Sequence, residues 1–451
     1  MHPTTANENS RLLFWSHVRE FAVPSSTIDA ATARRAVGDW AGACAAARVD
    51  VDLSLGAVRR SHGRRLADQV RADLRHLAPD LLRWHFPRVR PDGLLRPGLT
   101  VSLARYAPPT DDGHEVHLVA RTPPAWAGAG QRIGLALWEP AVATARGHPH
   151  PRPHRRFRLD LHRHLWDARR AGELAERSGA GQWPRSPDAA TPAGLGGIGC
   201  AVHRWAAEAA LVLRAEASAD GSVTVRLDHR HQVVVVPGRP AGQFTATAPT
   251  DRDRGRPVLP DAATWVLPDL ELLHAGLVDV DRLHPLVVQA LLPERLPTGA
   301  ARSPDGPEGP RLVECRGATH RIGVAGGVLV PLDHDPDEIR REELLVALGG
   351  TPLPCLRAID DVHRTPESLV DVQARLDHGD TAGALAAVED LLGPDALLRD
   401  GPLRDALETA VRRRVAHGLY RTGLAGPGPV PSTRDADRRD LRARPRHATR
   451  R

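Results

Sequence analysis

Leu66, Val70, Leu74 and Leu77 recur at three- and four-residue intervals, so this segment has one apolar face among charged neighbours. That spacing predicts an amphipathic helix, stopped by Pro79. Upstream, Ser25-Ser26 is placed to cap a helix over "TIDAATARRAVGDW". From Leu99 the period changes to two. Leu99, Val101 and Leu103, then Val116 and Leu118, then Ile133, Leu135 and Leu137 alternate with polar or small residues. This predicts an antiparallel meander with one wet face. "CAVHRWAAEAALVLRAE" predicts a helix, and "SVTVRL" and "QVVVV" flank "DHRH" as a hairpin. Residues 311–332 predict another small sheet, with Gly326-Gly327 at a two-residue turn. Asp335-Pro336 and Thr365-Pro366 each supply a helix cap and a first-turn proline, and Leu403, Leu407, Val411 and Val415 mark a last apolar stripe. The fold class expected is α+β, with helical N- and C-terminal blocks flanking antiparallel sheet regions.

Four Pro/Gly-rich polar stretches punctuate these elements: 180–197, 237–260, 296–310 and 424–451. Such composition buries little apolar surface and predicts loops or linkers. The division expected is a helical block over 1–95, a β-rich region over 96–179 and a linker over 180–197. A helix with a β-hairpin and short helical region follows over 198–310, then a small sheet and helical block over 311–424, then a disordered Arg-rich tail over 425–451.

The chain also resembles itself. "ARRAVGDWAGACAAAR" (33–48) and "ARLDHGDTAGALAAVE" (374–389) match at nine of sixteen positions. Gly38-Asp39 and Gly379-Asp380 fall between two helical patterns, where glycine ends one helix and aspartate caps the next. Such pairs resemble the Gly-Asp turn of tetratricopeptide-type hairpins. No tandem array at a 34-residue period accompanies them, so each is expected to be an isolated joint rather than part of a peptide groove.

At 451 residues, with 41% hydrophobic, the chain is long enough for two or three cores. Eight of nine Trp lie at or before Trp205, and Tyr420 is the only aromatic after Trp265. The back half must therefore pack on Leu, Val and Ala. The 61 basic residues are all arginine, which reflects GC-rich codons as readily as phosphate binding. Residues 433–451 carry eight Arg against three Asp, a net +5 of the chain's formal +6. The body is thus nearly neutral, which argues against a nucleic-acid-binding body and leaves only weak, non-specific contacts through the tail. No basic leader with an apolar run opens the sequence, and no stretch approaches eighteen apolar residues. A soluble, cytoplasmic protein without membrane contact is expected.

Candidate chemistry is sparse. The stretch from His148 to His164 holds five histidines, and a strand through Phe157, Leu159 and Leu161 would place Asp160, His162 and His164 on its other face. His229 and His231 form a second His-x-His pair in "DHRH". These five are the candidate metal ligands, and a metal-dependent hydrolase is the enzyme reading they support. Against it stand Arg163 and Arg230 inside the pairs and the lack of a third ligand at diagnostic spacing, so exposed loop histidines are the plainer expectation. Cys44, Cys200, Cys315 and Cys355 form no Cys-x-x-Cys pair, which argues against a ribbon-type zinc site. "GLGGIGC" matches G-x-G-x-x-G, but "QWPRSPDAATPA" before it is no buried strand. "DHDPDE" imitates a calcium loop but has Glu338 where glycine belongs and Leu344 where glutamate belongs. No cofactor is expected.

The blocks "GDWAGACAAARVDVDLSL", "VRADLRHLAPDLLRWHFPR" and "DHDPDEIRREELLVALGG" resemble an uncharacterised protein family of high-GC actinobacteria, over most of residues 11–424. That family is associated with loci for MoxR-type AAA ATPases and von Willebrand factor A-type proteins. The resemblance implies a non-enzymatic adaptor or regulator that binds other proteins, a MoxR-type ATPase among them. The charged helix "DEIRREELL", with Asp337, Glu338, Arg340, Arg341 and Glu342, is the candidate interaction face.

Overall fold

The computed structural model describes residues 11–107, 114–140, 148–182, 199–218, 221–228, 231–238, 244–248, 255–294, 311–315, 318–325, 328–331, 333–348, 351, 353–357, 366–392 and 400–424. The tail over 425–451, the turn glycines 326–327 and most of the glycine motif at 194–200 lie outside them. The chain forms two compact units, Met1–Thr298 with Leu419–Arg451, and Gly299–Gly418. The architecture is α+β as expected, with antiparallel sheets and helices toward both ends. Among the described residues no helix is long and apolar enough to cross a membrane.

In the first unit, α1 (Ser25–Ala36) and α2 (Trp40–Ala46) form the first Gly-Asp hairpin. The cap of α1 falls on Pro24, with the serines in its first turn. Next come β1 (Val49–Val51), α3 (Leu55–His76) and α4 (Pro79–His85), in which Pro79 begins a new helix as well as ending the pattern of the last. Strands β2 (Thr100–Tyr106), β3 (Val116–Arg121) and β4 (Ile133–Trp138) make the meander, and β1 adds in parallel to β4, giving the order β1-β4-β3-β2.

The second face is not wet along β2 and β3, and along β4 it is half-buried. Thr100, Ser102 and His117, which alternate with the apolar residues, are also buried. Thr100 Oγ1 donates to the carbonyl of His150 at 2.7 Å, and Ser102 Oγ meets His117 Nδ1 at 3.0 Å. Small polar residues with internal partners can line a buried face as well as a solvated one, so alternation alone misread this sheet. The strand expected through Phe157–Leu161 is likewise replaced. His154 N and Asp160 N donate to Thr100 and Ser102 carbonyls along the open edge of β2, and the chain then turns into a short 3-10 helix over Arg163–Leu165. Covering that edge satisfies backbone groups that would otherwise invite pairing.

One core runs through this unit. It takes Val70 and Leu74 from α3, Leu82 and Trp84 from α4, Val101 and Leu103 from β2, and Trp166, and it extends to Leu272 in α6 (Pro268–His274) and Val287 in α7 (Pro285–Leu291). A smaller core gathers around Trp205 of α5 (Trp205–Ala215) against the sheet β5 (Val223–Arg226), β6 (Gln232–Pro237) and β7 (Phe244–Thr247).

The second unit carries the antiparallel sheet β8 (Arg311–Cys315), β9 (Ala318–Ala325) and β10 (Val328–Pro331). Asp335 caps α8 (Pro336–Ala347) through the Asp337 N–H at 3.0 Å, as the Asp-Pro pair predicts. A helical turn over 354–357 follows. Then come α9 (Pro366–Asp377) and α10 (Thr381–Leu392), the second Gly-Asp hairpin, and α11 (Pro402–Thr422), whose residues from Leu419 on belong to the first unit.

The two hairpins share their joint atom for atom. Gly38 and Gly379 take φ of +77° and +79°, a conformation that costs a side-chain-bearing residue strain. Asp39 accepts from Gly42 N at 2.8 Å and Asp380 from Gly383 N at 3.3 Å. Arg34 and Arg375, five residues before each aspartate, donate to its other oxygen. A Cβ at Gly42 or Gly383 would fall about 2 Å from the capping carboxylate, so both glycines are steric requirements of the cap.

Candidate functional site

The residues singled out for metal binding in the first unit are consumed by structural pairing. His162 is fully buried, with Nδ1 2.9 Å from the Arg158 carbonyl and Nε2 3.1 Å from Glu208 Oε2. Glu208 also accepts from Arg177, at 2.9 Å on each oxygen, and from Arg204. Burial alone would raise the Glu208 carboxyl. The His162 hydrogen bond and the charges of His162 and Arg177 outweigh it and hold the group well below the ordinary carboxylate range. His164 is buried beside His162, and burial followed by its neighbour's charge pushes its pKa well below 6.5. Asp160 is gripped by Arg158 through both oxygens and by Arg105 at 3.1 Å. His231 is exposed and paired with Asp228 at 2.6 Å; His229 lies outside the described residues. Asp160, His162 and His164 therefore do not form a ligand set, because arginine occupies the carboxylates that a metal would need.

Similar networks tie down the rest of the unit. Asp73 accepts from Tyr106 Oη at 2.8 Å and from Arg163 and Arg169, both of which also reach Asp167. Asp269 accepts from Arg19 at 3.0 Å and from Trp84 Nε1 at 2.8 Å. The histidine stretch does leave one basic surface. His150, Arg152, His154 and Arg155 line a shallow groove with Arg226 and Arg256.

The glycine motif retains only its last members. Gly199 sits against the Glu271 carboxylate, which a phosphate would have to displace, and the α5 helix does not start until Trp205. Cys200 is pushed up to about 12 by burial, so it is no poised nucleophile.

The second unit brings together residues that no motif in the chain joins. Cys315, His334 and Cys355 each offer a ligand atom, and all three atoms lie within 4.8 Å of one another. Cys315 ends β8, His334 enters the turn before α8, and Cys355 lies in the helical turn over 354–357. Both cysteines are fully buried, and the His334 side chain is 4% exposed. The two thiols hydrogen-bond, and burial followed by this contact pushes Cys355 up to about 12. His334 Nδ1 lies 3.4 Å from Glu338 Oε2, one helical turn on, while Nε2 has no hydrogen-bond partner among the described residues. His320 stacks on His334 with ring centroids 4.2 Å apart, and its buried Nδ1 is also unpartnered among the described residues. Among the described residues this is the only group of three potential ligands so close together.

Register explains half of this convergence. Cys315 pairs with Ala318 and Val313 with His320, so Cys315 and His320 are diagonal neighbours on one sheet face. The Asp335 cap then fixes His334 at the mouth of α8. Spacings of eighteen and twenty residues between the three ligands match no recurrent zinc signature, which is why the cysteines read as solitary. A strand-pairing argument from β8 to β9 was the one available signal.

The charged face proposed for α8 is divided by the same geometry. Glu338 turns toward His334, and Arg341 Nε donates to the Asp337 carbonyl at 3.0 Å. Asp337 and Arg340 are exposed and Glu342 is half-buried. Beyond them Leu344, Leu345 and Leu348 are 61%, 53% and 85% exposed. Comparison with protein-family models, with curated proteins and with solved structures finds no match.

Proposed function

We propose that the chain is a protein-binding adaptor or regulator whose second unit carries the contact surface. The observation that carries this reading is the end of α8, where three leucines within five residues are each more than half exposed. Single exposed leucines need no explanation, but a cluster bordered by charge is how partner surfaces are built. Arg340, Arg341 and Asp337 supply that border. The family resemblance points to a AAA ATPase of the MoxR type as the partner to examine first. Purifying the full chain from its native host, beside a Leu344→Asp, Leu348→Asp variant, tests the reading. Loss of one stoichiometric partner by the folded variant supports it; identical partners for both proteins count against it.

A second reading is favoured by the basic groove, which concentrates positive charge that the nearly neutral body as a whole lacks. It would take a polyanion through phosphate contacts, with affinity falling steeply as salt rises. Arg152→Ala, Arg155→Ala binding to single- or double-stranded nucleic acid tests it, and salt-independent or unchanged binding counts against it. The hydrolase reading based on Asp160, His162, His164, His229 and His231 is not carried forward.

A further inference from the structure

We propose that Cys315, His334 and Cys355 hold a zinc-class divalent ion, and that this ion fastens the β8–β10 sheet to α8 and the turn after it.

The donor set is the first argument. Two thiolates and an imidazole are ligands preferred by zinc, and a tetrahedral site needs donor atoms roughly 3.6–3.8 Å apart, given bonds of about 2.3 Å to sulfur and 2.0–2.1 Å to nitrogen. The separations here, all within 4.8 Å, need only a small closure to meet that. The second argument is the support behind the imidazole. A carboxylate on one ring nitrogen fixes the ring and leaves the other nitrogen to the metal, and Glu338 takes that place at His334 Nδ1. Third, the buried Nε2 of His334, the nitrogen left over by Glu338, lacks a hydrogen-bond partner among the described residues. A disulfide between Cys315 and Cys355 would account for the sulfurs but not for the His334 ring.

Among the described residues, the apolar cluster around the two thiols is Cys315, Leu353 and Cys355, with Ile339 and Leu356 at its margin. Small cores of this kind are commonly supplemented by a disulfide or a metal. On binding, each thiol releases its proton to solvent and the sulfur lone pair enters the metal bond, so affinity rises with pH.

The test uses the full chain, purified reduced and without chelator or histidine tag. Zinc content by mass spectrometry should be one per chain. Cobalt(II) added to stripped protein should give the intense visible bands of a tetrahedral thiolate site, with no variant required. Cys315→Ser or Cys355→Ser should abolish both signals, while Cys44→Ser and Cys200→Ser should leave them intact. Glu338→Gln should weaken zinc about tenfold or more in competition with a chelating dye. His334→Ala should abolish both signals, while His320→Ala should retain the ion. Substoichiometric zinc with no tetrahedral cobalt spectrum in the reduced wild-type chain overturns the proposal. So does a Cys315–Cys355 disulfide in protein isolated without oxidant.

Discussion

The first unit and the sheet of the second are held by different means. Trp84, Trp166 and Trp205 are each no more than 1% exposed and sit among Leu, Val and Ile. Apolar area removed from water, at roughly 25 cal/mol per Å², dominates there, and the buried carboxylates of Asp73, Asp160, Asp167 and Glu208 are each shared by two arginines. In the second unit the described residues that gather beside Cys315 of β8 are a leucine and two cysteines. Large aromatic side chains thus anchor the first unit. The difference in aromatic content follows from composition: every Trp and Phe lies before the second unit begins. A polar, ligand-rich centre is found where aromatic residues run out.

The contrast is broken most forcefully in the first unit. Glu208→Ala removes the acceptor shared by His162, Arg177 and Arg204 and strands buried charge, which should cost about 3–5 kcal/mol. Because all nine Trp fall in this unit, tryptophan fluorescence during denaturant unfolding reads it alone. A loss below about 1 kcal/mol would mean that the network is not what holds α5 to the histidine segment.

Acid should weaken the same unit. Burial pushes His85 and His148 down to about 4, and His164 well below 6.5. Histidines depressed in the folded state are neutral there while the unfolded chain takes up protons. Their contribution is therefore complete above pH 6.5 and lost as pH falls toward 4, by about 1–3 kcal/mol for each of His85 and His148. Glu208, also depressed, adds a further loss below the unfolded carboxyl range near 4.3. Fluorescence-monitored melts from pH 7 to 4 should show a falling midpoint; a flat profile would contradict the burial of these rings.

The hairpins make a comparison within the comparison, since one joint occurs in each unit. Ala43 and Ala384 are both fully buried, so Leu at either should overpack its joint by about 1–3 kcal/mol. Asp39→Ala and Asp380→Ala each lose a cap worth roughly 1 kcal/mol. Similar penalties at both joints, measured by hydrogen exchange across each hairpin, would sharpen the view that they are equivalent. Smallest of all, Leu344→Asp and Arg340→Ala on the α8 surface should change stability by no more than about 0.5 kcal/mol.

Local chemistry was legible in the sequence and convergence was not. The Gly-Asp joints, the Asp335 cap and the β5–β6 hairpin follow from turn and cap residues acting within a few positions. The meander strands were legible too, but not the burial of their second face, because Thr100 and Ser102 look solvated until their partners fifteen to fifty residues away are known. Alternation at Phe157–Leu161 suggested a strand where the chain instead caps a sheet edge, and it hid the burial of His162 against Glu208. Cys315, His334 and Cys355 meet only because three elements fold back on one another, and single-residue motifs carry no record of that.

Hydrogen exchange of the full reduced chain, followed by mass spectrometry with and without a zinc chelator, tests the difference between the units most directly. Peptides over β8–β10, the start of α8 and 353–357 should lose protection when zinc is removed and regain it when zinc is restored. Peptides from α3, α4 and β2–β4 should not change. Equal protection of the second-unit peptides in both conditions, or a loss spread evenly over both units, would contradict it.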